Sequence, residues 1–252
     1  MRHLNYEVIE EKLITWLKDK VSSAGARGVV VGLSGGLDSS VTAVLARKAF
    51  GDNILGLIMP CFSSDQDLRD AELVAKKFAI NYKIKNLDSL LKEMMKILEQ
   101  DKEKAREDSL AVANIKPRLR MTVLYYYAAR QNYLVLGTDN WSEFKVGYFT
   151  KYGDGGVDLA PLGRLVKTEV RKLAQHLDIP ERIINRTPSA GLWEGQTDEK
   201  EMGITYEQLD RYILGDEVPA DIRNKIEELK DRNLHKTQPI PFPERDYLEG
   251  ES

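Results

Sequence analysis

Apolar positions along the chain recur with two periods. Over residues 5–21, Val8, Ile9, Leu13, Trp16, Leu17 and Val21 fall at helical spacing, which predicts an amphipathic opening helix. Its apolar face suits either a core or a partner subunit. Residues 29–33 form a β-branched run and residues 54–60 a second continuous apolar run. A weaker third run covers 82–87, and 133–138, with Leu134, Val135 and Leu136, is the fourth. Helical patterns lie between them at 39–50, 66–79, 87–107 and 117–131. Doubly apolar strands alternating with helices predict a parallel sheet covered on both faces. In the third helix Leu87, Leu90, Leu91, Met94, Met95 and Leu98 share a face, with the two methionines as core filler and the charged run beyond them as a solvated end.

After Asp139 the pattern changes. Residues 140–165 read as a loop with glycines at 147, 153, 155, 156 and 163. A helix over 166–178 ends at Asp178-Ile-Pro180, residues 187–204 are again loop-rich, and a charged helix covers about 219–231. The tail over 235–243 carries Pro239, Pro241 and Pro243 and must be extended. Loops this long in a compact domain are uncommon unless they act, so they read as lids and specificity loops. No repeat or low-complexity tract interrupts the pattern. The expected fold is α/β: one domain over 1–252 with its core at about 22–190, an N-terminal helix and a C-terminal helix and tail. The sheet is expected to be doubly wound, parallel, Rossmann-like and of about five strands.

Composition narrows the function class by exclusion. Across 252 residues the formal net charge is −3, so no basic excess favours a nucleic acid partner. Cys61 is the single cysteine, which rules out a disulfide within the chain and a four-thiolate zinc site and suits a reducing compartment. With no histidine near it in sequence, Cys61 reads as a small apolar residue at a strand end rather than a nucleophile. The N-terminus lacks an apolar signal core and no stretch is long enough to span a bilayer, so no membrane partner and a cytoplasmic setting are expected.

The candidate chemistry begins where the first strand ends. Residues 28–40 run from that strand through Ser34-Gly-Gly-Leu-Asp-Ser39 into a helix. Gly35 and Gly36 allow the backbone to approach a phosphate, the N–H groups of the next helix point at it, and Ser34, Ser39 and Ser40 add donors. Asp38 suits a phosphate site only with a cation between them, which makes it a magnesium ligand candidate. No Gly-Lys-Ser/Thr ending follows, so a loop built around a transferable γ-phosphate is excluded. The stretch resembles the pyrophosphate loop of ATP pyrophosphatases, which cleave ATP between its α and β phosphates.

Three further stretches narrow the resemblance. They are Asn114-Ile-Lys-Pro-Arg-Leu-Arg-Met121, the long segment 137–158 from Gly-Thr-Asp-Asn-Trp-Ser-Glu to Lys-Tyr-Gly-Asp-Gly-Gly-Val-Asp, and Pro188-Ser-Ala-Gly-Leu-Trp-Glu-Gly-Gln-Thr-Asp-Glu199. In this order, over essentially the whole chain, the set resembles the NAD synthetases. That resemblance implies an adenine nucleotide alpha-hydrolase-like fold and amidation of deamido-NAD (nicotinic acid adenine dinucleotide) by ammonia, with ATP split to AMP and pyrophosphate. The chain resembles the short, ammonia-dependent form without a glutaminase domain. The resemblance implies ATP contacts at Leu33, Ser34, Gly35, Gly36, Leu37, Asp38, Ser39, Ser40, Thr138, Lys167 and Ser189, with Mg2+ held by Asp38 and Glu143. Asp38, Glu143 and Lys167 are then the catalytic set, Lys167 following the departing pyrophosphate. Arg118, Lys151, Asp158, His235 and Lys236 take deamido-NAD, Asp158 at a ribose hydroxyl or a cationic ring. Pro117 stands where alanine is common, and a first-turn position would tolerate it. Residues 195–199 resemble a lid that orders over the adenylate. A homodimer is implied, with the substrate site near the interface and Tyr125, Tyr126 and Tyr127 as contact candidates. Two rivals fit less well. Another ATP pyrophosphatase acting on tRNA would show a basic face and paired cysteines, and a non-catalytic nucleotide sensor would have lost Asp38 or Glu143.

Overall fold

A computed structural model describes residues 4–98, 109–189, 191 and 195–245. The C-terminal part of the predicted helix at 87–107, and residues 190 and 192–194 of the last motif, lie outside the described residues.

The opening helix α1, Tyr6–Ser23, is capped by Asn5, whose side chain accepts from the N–H groups of Glu7 and Val8. It buries Leu17 and Val21, so its apolar face covers this chain's own core. Strand β1, Gly28–Gly32, leads into α2, Leu37–Phe50; β2, Ile54–Ile58, into α3, Asp65–Lys77; and β3, Tyr82–Ile84, into α4, Asp88–Leu98. Helix α5, Ser109–Gln131, then precedes β4, Tyr133–Leu136. The sheet order is β3-β2-β1-β4 with every pairing parallel, Val30 lying between Leu55 and Val135. Val29, Val30 and Val31 have no exposed surface, which is why their run alternates with nothing polar. The chain winds from β1 outward through β2 to β3 and returns to the other side of β1 as β4. The crevice beyond the carboxyl ends of β1 and β4 is therefore the switch point where such sheets bind ligands.

One face of the sheet packs against α1, α2, α3 and α7, Lys167–His176, through Leu17, Val41, Leu45, Val74 and Leu173. Helices α4 and α5 cover the other face with Leu91, Leu119 and Ala128. A third cluster around Val146, Met202, Leu209 and Ile226 joins α6, Trp141–Val146, α9, Asp198–Met202, α10, Tyr206–Leu214, and α11, Ala220–Thr237. The short α8, Glu181–Ile184, buries Ile183 and Ile184 in the first cluster.

Several expectations are corrected. The sheet has four strands among the described residues rather than about five; beyond β4 there is only the isolated parallel bridge between Leu136 and Leu159. The turns of residues 151–155 and 161–165 break the chain too often for a further strand. Helix α5 starts well before 117, so Pro117 sits inside it and not in its first turn. Proline there withholds an N–H from the helix ladder; its ring packs against the turn at 150–153, where a Cβ on Gly153 would come 3.0 Å from it. Helix α6 lies within the stretch read as loop, and α10 follows directly on the 187–204 stretch. Helix α11 continues through His235 and Lys236, and the extended tail starts only at Gln238, because the prolines begin at 239.

Candidate active site

At the carboxyl edge lies a cavity of about 880 Å³, walled by the loop after β1, by Thr138 after β4, by Glu143 and Lys167, and by Ser189, His235 and Lys236. The loop after β1 is held in shape by its own serines. The hydroxyls of Ser34 and Ser39 lie 2.9 Å apart, and Ser39 Oγ accepts from Ser34 N at 3.3 Å. Ser39 and Ser40 donate to the Gly36 carbonyl at 3.1 and 2.7 Å. Gly36, the N-cap of α2, has no side chain over the helix end, so the first-turn N–H groups face the cavity as an anion site. Gly35 takes φ +79°, and a Cβ there would lie 2.5 Å from the Asp67 carbonyl of α3. Leu33, Ser34, Gly36, Leu37, Asp38 and Ser39 line the cavity, while Gly35 and Ser40 support the loop from behind.

Asp38 in the first turn of α2 and Glu143 in the first turn of α6 meet because β1 and β4 are neighbours. Glu143 is placed by a capping box. Its Oε2 accepts from Asn140 N at 3.0 Å while Asn140 Oδ1 accepts from Glu143 N at 3.1 Å. Asn140 Nδ2 also donates to Asp38 Oδ1 at 3.2 Å, linking the two carboxylates. Lys167 Nζ donates to Asp38 Oδ2 and, at 3.2 Å, to Glu143 Oε1. The Tyr206 hydroxyl donates to Glu143 Oε1 and Asp198 Oδ2, both at 3.0 Å, and its ring lies 4.9 Å from Lys167 Nζ. The backbone under Lys167 is fixed as well. Lys167 N donates to Ser142 Oγ at 3.1 Å, Ser142 Oγ donates to Asp210 at 2.5 Å, and Asp210 accepts from Thr168 N at 2.7 Å. Asp210 therefore caps α7 from α10.

These charges disturb one another. Burial raises the Glu143 carboxyl to about 7, against the pull of Lys167 and with a further push from Asp38. Burial alone would lower the Lys167 ammonium, yet Asp38 and Glu143 outweigh it and hold it above its ordinary value. Asp139, 7 % exposed just after β4, is raised by burial and by Asp154, Glu143 and Asp38, and its Oδ2 has no hydrogen-bond partner among the described residues. Two carboxylates already converging on one cation suit a magnesium ion. No group of three or more His, Cys, Asp or Glu side chains that could hold a metal is found among the described residues, so a magnesium ion here would take the rest of its shell from a ligand's oxygens and water.

The other candidates divide. Arg118, Lys151 and Asp158 lie outside the cavity wall. Arg118 donates to the Lys151 carbonyl at 3.3 Å, and Lys151 Nζ to the His235 carbonyl at 2.7 Å, so these three form one chain of contacts leading to the cavity wall at His235. Lys236 Nζ donates to the carbonyls of Gly147 and Phe149 at 2.8 and 2.9 Å, and burial lowers its ammonium. Asp158 is exposed, and its carboxylate accepts from Val135 N at 2.7 Å and from the Tyr125 hydroxyl at 3.0 Å. Within the expected lid, Gln196 and Asp198 are buried, Gln196 bonding Glu201 at 2.9 Å and Asp198 accepting from Tyr148 at 3.1 Å. Arg186, at the base of that segment, pairs with Asp67 of α3. Cys61 is fully buried just after β2, and burial pushes its thiol up despite Arg120 and Lys116. Sequence reasoning missed Asn140, Tyr206, Asp198 and Asp139. Only Asn140 carried a local signal, the Asn-x-x-Glu spacing of a capping box.

A sequence model of the family described as NAD synthase matches residues 9–240. The NH(3)-dependent NAD(+) synthetase of Carboxydothermus hydrogenoformans is 50% identical over 233 residues, covering 92% of this chain and 96% of that one. Among solved structures, NMN synthetase from Francisella tularensis superposes with a TM-score of 0.90 at 37% identity, over 95% of this chain and 99% of that one. The NH3-dependent NAD synthetase of Campylobacter jejuni superposes with a TM-score of 0.78 at 30% identity, over 96% of this chain and all of that one (100%).

Proposed function

The chain belongs to the NAD synthase family, and from that premise we propose that its cavity joins the carboxylate of deamido-NAD to the α-phosphate of ATP and then exchanges AMP for ammonia. It is a ligase that forms the C–N bond of NAD. The single observation that carries the division of labour is the convergence, in one cavity, of the serine-held loop at the N-terminus of α2 with Asp38, Glu143 and Lys167.

A free carboxylate resists ammonia because its leaving group would be oxide. In the first step a carboxylate oxygen attacks the α-phosphorus and the bond to the β-phosphate oxygen breaks, its electrons leaving on pyrophosphate. In the second, the ammonia lone pair adds to the carbonyl carbon, AMP departs with the C–O electrons, and the extra protons pass to solvent. No side-chain nucleophile is needed. The loop grips the outer phosphates through N–H and hydroxyl donors, and Lys167 supplies a mobile positive charge as pyrophosphate leaves. Asp38 and Glu143 would hold Mg2+, which when bound neutralises the same charge. Thr138 and Ser189, both lining the cavity, position the nucleotide. Arg118, Lys151, His235 and Lys236 lead outward from the cavity and suit the pyrophosphate bridge of the dinucleotide. Asp158, exposed while it ties β4 to Tyr125 of α5, suits a ribose hydroxyl or a cationic ring of the same substrate.

We further propose a homodimer with the substrate site near its interface. A cytoplasmic setting agrees with a lone buried thiol and with the lack of a membrane-length apolar helix among the described residues.

Incubating the protein with deamido-NAD, ATP, magnesium and ammonium should yield NAD, AMP and pyrophosphate in equal amounts. ADP in place of AMP would overturn the cleavage position. A second acid to test is nicotinic acid mononucleotide, whose amide is NMN, because one similar solved structure carries the name NMN synthetase. The ratio of kcat/KM for the two acids decides between them.

A further inference from the structure

Lys167 is bound more closely to carboxylates than a ligand for phosphate requires. Its side chain is 6% exposed, and its ammonium is bonded to both carboxylates proposed as metal ligands, Asp38 and Glu143. The Tyr206 ring closes over it at 4.9 Å. We propose that Lys167 is a place-holder for the divalent cation: without nucleotide its ammonium occupies the position between Asp38 and Glu143, and the metal enters only with the triphosphate that draws the lysine away. This inference rests on the reading of Asp38 and Glu143 as metal ligands.

The chemistry of the two cations makes them rivals. Magnesium needs carboxylate oxygens at about 2.0–2.1 Å, and the oxygens it would take are those to which Lys167 donates. Two positive ions within a few ångströms in a buried site also repel strongly. A triphosphate removes the conflict by offering the ammonium new acceptors. The backbone of Lys167 is pinned by Ser142 and Asp210, so only its flexible side chain has to move. The loop of residues 34–39 lines the same cavity as Lys167. Cation and nucleotide must then strengthen each other's binding reciprocally. The pair of buried carboxylates is also never left without a positive partner between turnovers, which is the state that destabilises such sites most.

Mn2+ serves as the probe, its free concentration read by electron paramagnetic resonance, with an ATP analogue carrying a methylene bridge between the α and β phosphates. Without nucleotide the wild-type protein should bind Mn2+ weakly. Lys167→Gln should bind it about 10-fold more tightly or better, and adding Glu143→Gln should remove that gain. If Lys167→Gln binds Mn2+ no better than wild type while Glu143→Gln abolishes the nucleotide-dependent site, the metal reading stands and the place-holder is overturned. Should the nucleotide-dependent Mn2+ affinity be indifferent to both Asp38→Asn and Glu143→Gln, the metal reading falls and takes the place-holder with it. If circular dichroism shows that Lys167→Gln does not fold, the wild type decides alone. A Glu143-dependent Mn2+ site as tight without nucleotide as with it overturns the proposal, and its appearance only with nucleotide supports it.

Discussion

Glu143 answers two demands with one carboxyl group: Oε2 caps its own helix, and Oε1 faces Lys167 and the Tyr206 hydroxyl. At this scale the legible residues were those inside motifs. Asp38 stood out because a carboxylate beside a phosphate loop needs a cation, and Asn140-x-x-Glu143 is a spacing that can be read locally. Tyr206 was not legible, since its hydroxyl bonds a carboxylate 63 residues away and a lone tyrosine announces nothing. Asp158 carries a duty its motif does not announce: besides the substrate contact its motif suggests, its exposed carboxylate ties Val135 of β4 to Tyr125 of α5. Tyr206→Phe removes the donor shared by Glu143 and Asp198 but keeps the ring. It should cost about 1–3 kcal/mol in urea unfolding and lower kcat more than it raises KM for ATP. Unchanged stability and kinetics would remove Tyr206 from the account of the site.

Among elements, the loop between β1 and α2 was the most legible, because Gly35 has a physical reason to be glycine. Gly35 combines φ +79° with an approach of 2.5 Å between its ideal Cβ and a backbone oxygen of α3. Gly35→Ala should therefore destabilise the fold by roughly 1–3 kcal/mol and weaken ATP binding together with it. Isothermal titration beside thermal unfolding checks both, and a stable variant with intact ATP affinity would contradict the geometry. The elements misread from sequence have separate causes. Pro117 reads as a helix start, yet the helix passes through it, because packing against the turn at 150–153 offsets one lost ladder bond. Helix α10 did have a start signal, the Thr205-x-x-Gln208 capping box, but it was hidden by its position after a loop-rich stretch. The C-terminal helix runs to Thr237 since nothing before Pro239 stops it, and His235 and Lys236 thereby gain a rigid backbone.

For the whole molecule, alternation of apolar runs and helices was enough to predict a parallel sheet with both faces covered, but not the strand order that puts β4 beside β1. That adjacency is what brings Asp38 and Glu143 together. The third core cluster was illegible because its members come from α6, α9, α10 and α11, four elements scattered between Trp141 and Thr237, and the amphipathic face of α10 gives no hint of which other elements it meets. Of the three tyrosines on α5, Tyr125 is bonded to Asp158, Tyr127 packs on the core, and Tyr126 is 53% exposed. If the proposed dimer uses this helix, Tyr126→Glu should shift the protein toward monomer in sedimentation velocity and lower activity at dilute protein. A variant that sediments as wild type would move the interface elsewhere. All of this chemistry turns on the acid attacking the α-phosphorus while the loop after β1 holds the outer phosphates. Deamido-NAD labelled with 18O in both carboxylate oxygens follows that attack atom by atom. One 18O atom should appear in the phosphate of each AMP formed and none in pyrophosphate; AMP without label, or label in pyrophosphate, would rule out attack at the α-phosphorus by the acid.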